Sequence, residues 1–196
     1  IHEKTGLHYT AFRDDSGRFW QEETLPGTDY THRLEATLAV GSANNTRSYL
    51  GWSEGSLVQL PLTYYVDKKR WDLSPGYESN NLRMHRPITP KCLFCHNDLS
   101  AEVEGTLASY QGPFSIGISC DRCHGDGTKH VDYRMEGGIP EEGQPAPTIY
   151  NPKYASIGRQ QQLCEQCHLQ GRSRQLAPGQ SWTHYDVRQP LHDYMT

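Results

Sequence analysis

A mixed α+β fold with little regular secondary structure is what the sequence predicts: a small β-rich N-terminal layer followed by a loop-rich region with short helices. Three observations predict it. Only 35% of the 196 residues are hydrophobic, and with glycine counted and tyrosine set aside the figure is about 38%, against roughly 45–50% in ordinary soluble domains. The 18 glycines and 12 prolines favour loops over long helices. Strand-like segments also crowd the first 84 residues, whereas proline and glycine punctuate the chain from Pro87 onward. A chain of this length makes one domain or two small ones. The expected organisation is a β-rich layer over 1–84 and a second region over 85–196, together one compact unit.

Within the first region, 7–12 and 18–23 flank Asp14-Asp15-Ser16-Gly17, a hairpin turn with glycine available for a positive φ. Residues 34–40 alternate loosely and are expected as one strand. A further strand pair is expected over 56–66 and 69–73, around Asp67-Lys68. Asn44-Asn45-Thr46 fits a glycosylation sequon, a pattern that also arises often by chance. Residues 137–147, rich in Gly, Pro and Glu, read as a surface loop.

Nineteen basic and 23 acidic residues leave a net charge of −4, so no strong basic field exists to hold a phosphate backbone, and nucleic acid is excluded as a partner. The longest apolar stretches fall far short of the roughly 20 residues that cross a bilayer, so no transmembrane helix is expected. The opening Ile1-His2-Glu3-Lys4 lacks the basic-then-apolar layout of an export signal, and a mature or trimmed chain is expected.

All six cysteines fall into one pattern: Cys92-Leu93-Phe94-Cys95-His96, Cys120-Asp121-Arg122-Cys123-His124 and Cys164-Glu165-Gln166-Cys167-His168. At this chain's Cys and His frequencies, one such pentapeptide arises by chance on the order of 0.01 times. Cys-x-x-Cys-His is the attachment motif of c-type haem. Two thiols three positions apart add to the two vinyl groups on one porphyrin edge, and the next residue is held beneath the iron as its proximal ligand. Disulfides would need no His after each second Cys. A zinc ribbon is suggested by Cys120-x-x-Cys123-x-Gly125-x-Gly127, which looks like the zinc repeats of chaperones, but those come in fours and the other two motifs lack the glycines. Three covalently bound haem c groups are therefore expected, attached at Cys92, Cys95, Cys120, Cys123, Cys164 and Cys167, with His96, His124 and His168 as proximal ligands. Three large apolar rings would also supply the core volume that the side chains lack. Brief helices are expected at 92–99, 120–124 and 160–169.

Seven histidines remain for the sixth coordination positions: His2, His8, His32, His85, His130, His184 and His192. His130 lies six residues after His124 across Gly125-Asp126-Gly127. That link is too short to bring it round to the far face of its own haem, so it is expected to reach a neighbouring one.

The segments Gly41 to Leu50, Leu60-Pro61-Leu62, Pro75-Gly76-Tyr77, Arg86 to His96, Gly117 to Gly125 and Asn151-Pro152, followed by Cys164 to Gln170, resemble bacterial multihaem cytochromes related to the tetrahaem electron carriers of nitrifiers. The resemblance implies distal ligands at the places of His2 and His130. This chain has Asn45 where many members carry a ligating His, and it lacks both their upstream Cys-x-x-Cys-His and the tetratricopeptide region often found downstream. The third distal ligand stays open, with His85 first, then His192, His32 and His184, ranked on sequence proximity to the haem segments.

The leading functional reading is an electron carrier with closely spaced haems held mainly by two histidines each, which leaves no open iron position for a substrate. Its partners would be redox proteins or copies of itself. Two alternatives stand beside it. One is the repeating subunit of an extracellular conductive filament. The other is a haem oxidoreductase acting on a small nitrogen or sulfur compound at one open haem, for which Arg122, Lys129 and Tyr133 would be the nearby acid, base or cation groups; the surplus of histidines favours a carrier over a catalyst. Because haem is attached outside the cytoplasmic membrane, a periplasmic or extracellular location is expected.

Overall fold

The computed structural model describes residues 1–41, 44–97, 101–112, 114, 117–169, 173–183 and 185–196. The chain forms two compact units: Ile1–Cys92 with Ser100–Pro113, and Leu93–Leu99 with Phe114–Thr196.

The first unit is built from antiparallel strands. Strands β1 (His8–Arg13), β2 (Phe19–Thr24) and β3 (Thr31–Glu35) make a three-stranded sheet in that order. The turn between β1 and β2 is the expected one. Gly17 adopts φ +89°, and the Asp14 carboxylate accepts from the Ser16 hydroxyl at 2.6 Å, the Arg18 N–H at 2.9 Å and the Trp20 indole N–H at 2.8 Å. These donors, the Ser16 hydroxyl first, hold Asp14 well below the usual carboxylate range against the opposing effect of desolvation. The second sheet has the order β4 (Leu38–Val40), β5 (Thr46–Ser53), β6 (Ser56–Tyr65), β7 (Arg70–Leu73), with β8 (Arg86–Pro87) also pairing β6.

The single strand expected over 34–40 is instead two. Ala36 N–H bonds to Phe19 O in the first sheet at 2.8 Å, and Thr37 N–H bonds to Leu50 O in the second at 2.9 Å, so the chain changes sheets between consecutive residues. The crossing is tight: a Cβ on Gly51 would lie 2.4 Å from Glu35 O, which leaves room for glycine alone. Strand β5, which pairs with β6 through an irregularity between Ser48 and Leu50, was not among the expected strands.

Strand β6 is the centre of this unit. Leu57, Val58, Leu60 and Leu62 are all buried, because the strand is covered on both faces and reads as a continuous apolar run rather than an alternation. Gln21 of β2 ties the two sheets together. Its amide donates to Leu62 O at 2.8 Å and accepts from Leu62 N–H at 2.7 Å, so this buried polar group is matched at both ends. The segment after 100 returns to the unit. Ala108 O accepts from Leu57 N–H at 2.8 Å, and the Tyr110 hydroxyl donates to Ile88 O at 2.7 Å. Two short strands, β9 (Ala101–Glu102) and β10 (Tyr110–Gln111), pair with each other here.

The second unit is helical and irregular. Helix α1 (Pro90–His96) carries the chain across the division between units, and α2 (Asp121–His124), α3 (Thr128–Met135), α4 (Ile157–His168) and α5 (Leu191–Tyr194) follow. Helices α1, α2 and α4 stand where the motifs predicted them; α3 and α5 were not expected. Helix α4 opens on Ser156, whose hydroxyl accepts from Arg159 N–H at 3.4 Å, a standard N-cap. The core of this unit is small: Phe94, Leu191, Tyr194 and Met195, with Trp182 and Tyr185 packed against it. Phe94 meets Trp182 edge-on at 5.3 Å and stacks with Tyr194 at 6.0 Å. Residues 136–147 hold no helix or strand, as the Gly-Pro-Glu composition implied. No helix among the described residues is long and apolar enough to cross a membrane.

Candidate haem-attachment site

Each motif lies on a helical turn, which brings its two cysteines, three positions apart, onto one face. The following histidine then stands at the helix end: His96 closes α1, His124 closes α2 and His168 closes α4. All six thiols are unpaired; Cys120 and Cys164 are exposed and the other four are half-buried.

His124 shows how such a ligand is aimed. Its Nδ1 lies 2.9 Å from Tyr150 O, so the ring donates there and presents Nε2 as the electron-pair donor. An outer hydrogen bond of this kind fixes both tautomer and ring orientation in metal-binding histidines. Helix α2 ends at Gly125, φ +73°, and the chain turns back into α3. His130 sits on α3 with Nδ1 3.2 Å from Thr148 Oγ1. A cavity of about 470 Å³ opens among Cys120, His124, His130, Arg134, Ile149 and others, within the roughly 300–1,000 Å³ typical of small-molecule and cofactor sites. The short glycine link was expected to keep His130 away from the haem at Cys120 and Cys123; the structure sets His130 on the wall of the cavity that His124 lines. A free thiol, an aimed imidazole and a second imidazole around one cavity form a donor set that suits a covalent haem.

The other histidines are differently placed. His2 is 3% exposed, with Nδ1 2.8 Å from Thr5 Oγ1 and Nε2 3.0 Å from Tyr77 O, so both ring nitrogens are engaged within the first unit. His85 is exposed on a short 3-10 turn, and its ring stands 6.0 Å from that of His32, edge to face. His32 Nε2 is buried with no partner among the described residues. His192 is exposed beside Asp193 at 3.3 Å. His184 lies outside the described residues. Of the groups noted near the second motif, Tyr133 lies 6.4 Å from the His130 ring, while Arg122 turns to Phe94, its guanidinium carbon 4.6 Å from the ring centre.

The motifs approach one another. The Cys95 and Cys167 thiols share a hydrogen bond, and Arg174 Nη1 lies 3.4 Å from Cys95 Sγ. The bond from Cys167, together with the Arg174 cation, outweighs burial and draws the Cys95 thiol down; the same contact and burial push Cys167 up. Burial, and after it the nearby Cys164, raises Cys123. Sequence reasoning missed Tyr150, Thr148 and Arg174. Their roles rest on carbonyl and side-chain positions in loops, which no spacing rule encodes.

Residues 68–125 match the family model of cytochrome c554 and c-prime. Among solved structures, the outer cell wall cytochrome OcwA aligns over 80% of this chain and 31% of its own length, with 18% identity and a TM-score of 0.47. No curated protein matches the chain. The stretch that matches cytochrome c554 and c-prime contains the first two motifs entire, Cys92 to His96 and Cys120 to His124, and supports a c-type cytochrome.

Proposed function

We propose that the chain is a multihaem c-type cytochrome that passes electrons between redox proteins outside the cytoplasm. Three haems are attached at Cys92 and Cys95, Cys120 and Cys123, and Cys164 and Cys167, with His96, His124 and His168 as proximal ligands. When bound, haem supplies the one-electron chemistry of its iron. The protein supplies attachment, ligand aim and surroundings. The observation that carries the reading is the repeated helical turn with two free thiols and a terminal histidine, supported at the second motif by the Tyr150 bond that frees His124 Nε2. His130, on the wall of the same cavity, is the first distal ligand, and His85, exposed on its 3-10 turn, is the next; His2 would serve as the third only by giving up its bonds to Thr5 and Tyr77.

The intact mass of the purified, denatured protein is expected to equal the chain plus three haem groups. Two haems, or bound zinc, would overturn the reading. Replacing His130 with a side chain that cannot ligate is expected to convert one low-spin haem to high-spin and to open it to carbon monoxide; a spectrum that stays fully low-spin would remove His130 from the ligand set.

A further inference from the structure

The two cysteines of a Cys-x-x-Cys-His turn share one face of the helix, and the residue just before the second cysteine points away from that face. In this protein those three residues, one from each motif, meet. Phe94 is fully buried and Gln166 is 1% exposed. The Arg122 guanidinium lies over the Phe94 ring at 4.6 Å, and Arg122 O accepts from Gln166 Nε2 at 3.1 Å. Arg174 Nη1 closes the arrangement from the other side, at 3.4 Å from Cys95 Sγ, 3.2 Å from Gln166 O and 3.3 Å from Cys167 O. The backs of the three attachment turns thus form one junction within the second unit, with a cation at its centre.

Arg122 is unusual at that place. Its Nε is buried without a hydrogen-bond partner among the described residues, and no carboxylate pairs with it there. The side chain is half-buried, and cation–π attraction holds its guanidinium on the Phe94 ring. Arg122 precedes Cys123 in its own motif, and its partners Phe94 and Gln166 directly precede Cys95 and Cys167 in theirs, so its charge stands beside all three attachment turns. Reduction of Fe(III) to Fe(II) adds one electron, drawn from the donor redox protein, and a fixed positive charge nearby favours the state that holds it.

Resting on the three-haem reading above, we propose that Arg122 is a redox-tuning residue shared by the three motifs: a cation held behind the attachment turns by Phe94 and Gln166 that raises the reduction potentials of the attached haems. It touches no substrate and acts only through the field it sets up at neighbouring centres. A unit charge at a partly buried position shifts a one-electron equilibrium by on the order of tenfold, equivalent to about 59 mV.

The test is a spectroelectrochemical titration of the purified holoprotein carrying Arg122→Gln, Arg122→Met or Arg122→Lys, each first weighed for haem content. Gln and Met both remove the charge but pack differently on Phe94, so the comparison survives the misfolding of either. The expected result is three haems by mass and a shift of at least one midpoint to lower potential by about 59 mV in the neutral variants, with Lys restoring most of it. Midpoints unchanged in a neutral variant that retains three haems would overturn the tuning role. A Lys variant that falls as far as Gln would also overturn it, because the effect would then follow packing rather than charge. A parent protein short of three haems would instead overturn the reading on which the inference rests.

Discussion

Unit 1 buries Leu7, Leu50, Leu57, Leu60, Leu62, Tyr77 and Met84 between two sheets, and its buried Gln21 is satisfied at both ends. Among its described residues, unit 2 buries the small cluster around Phe94 and Tyr194, with Val187 besides, while Ile118, Val131, Met135, Ile139 and Ile157 are more than half exposed. Unit 1 also leaves Ile1, Phe19 and Leu107 more than half exposed, but its buried apolar core is the larger of the two among the described residues. Unit 2 leaves apolar groups in the open in the region that carries the free thiols, a surface that the proposed haems would cover. On the proposed three-haem reading, one chain would hold two solutions to burying enough apolar surface to offset chain entropy.

The largest expected effect tests that contrast directly. With all six cysteines replaced by alanine, amide hydrogen exchange should retain protection in β5 and β6 and lose it through α2, α3 and α4. Equal protection in both regions would break the comparison. Next in size, Leu60→Ala should destabilise unit 1 by about 2–5 kcal/mol through the cavity it leaves, measured by denaturant unfolding, with the haem content of the purified protein unchanged.

A smaller effect concerns acid. Glu23 is buried, which by itself would raise its pKa, yet Arg83 and Tyr30 donate to it and hold the carboxyl below its ordinary value. A carboxylate whose folded pKa lies below the unfolded value of about 4.3 stabilises fully above that value, and the contribution is lost as pH falls through the folded pKa. Thermal melts of unit 1 should therefore lose stability below about pH 4.3, and Glu23→Gln should flatten that loss at the expense of stability near neutrality. The smallest effect is at the surface: Arg70→Ala removes an exposed pair with Asp72 at 2.7 Å and should change stability by at most about 1 kcal/mol.

The three Cys-x-x-Cys-His motifs and the helical turns that carry them could be read from the sequence because such a motif has a fixed spacing, and spacing is what a sequence displays. The β1–β2 hairpin was readable for a similar reason, since Asp14 and Gly17 carry the turn by themselves. The break at Ala36-Thr37 was not, because the two halves of 34–40 belong to different sheets and each backbone bond is made to a residue distant in the chain. Helix α3 was obscured by Gly125 and Gly127 ahead of it and by its polar composition, Thr-Lys-His-Val-Asp-Tyr-Arg-Met, which lacks a clear apolar stripe. The aim of His124 depends on a carbonyl 26 residues later. The meeting of Phe94, Arg122 and Gln166 depends on three turns converging, and no one motif contains that information.

The return of 100–113 to unit 1 has a consequence for how this protein can be cut or rearranged. The first attachment turn is a detour: the chain leaves the β layer through α1 and comes back to give Ala108 O to Leu57 and the Tyr110 hydroxyl to Ile88 O. A single incision after residue 84 or 92 would strip the sheet of those partners and leave Leu57 N–H open. The β layer is therefore not a detachable preface. Any shortened or grafted version that keeps its core must carry the first Cys-x-x-Cys-His turn with it, so inheritance of the layer and inheritance of that motif are bound together by the path of the backbone.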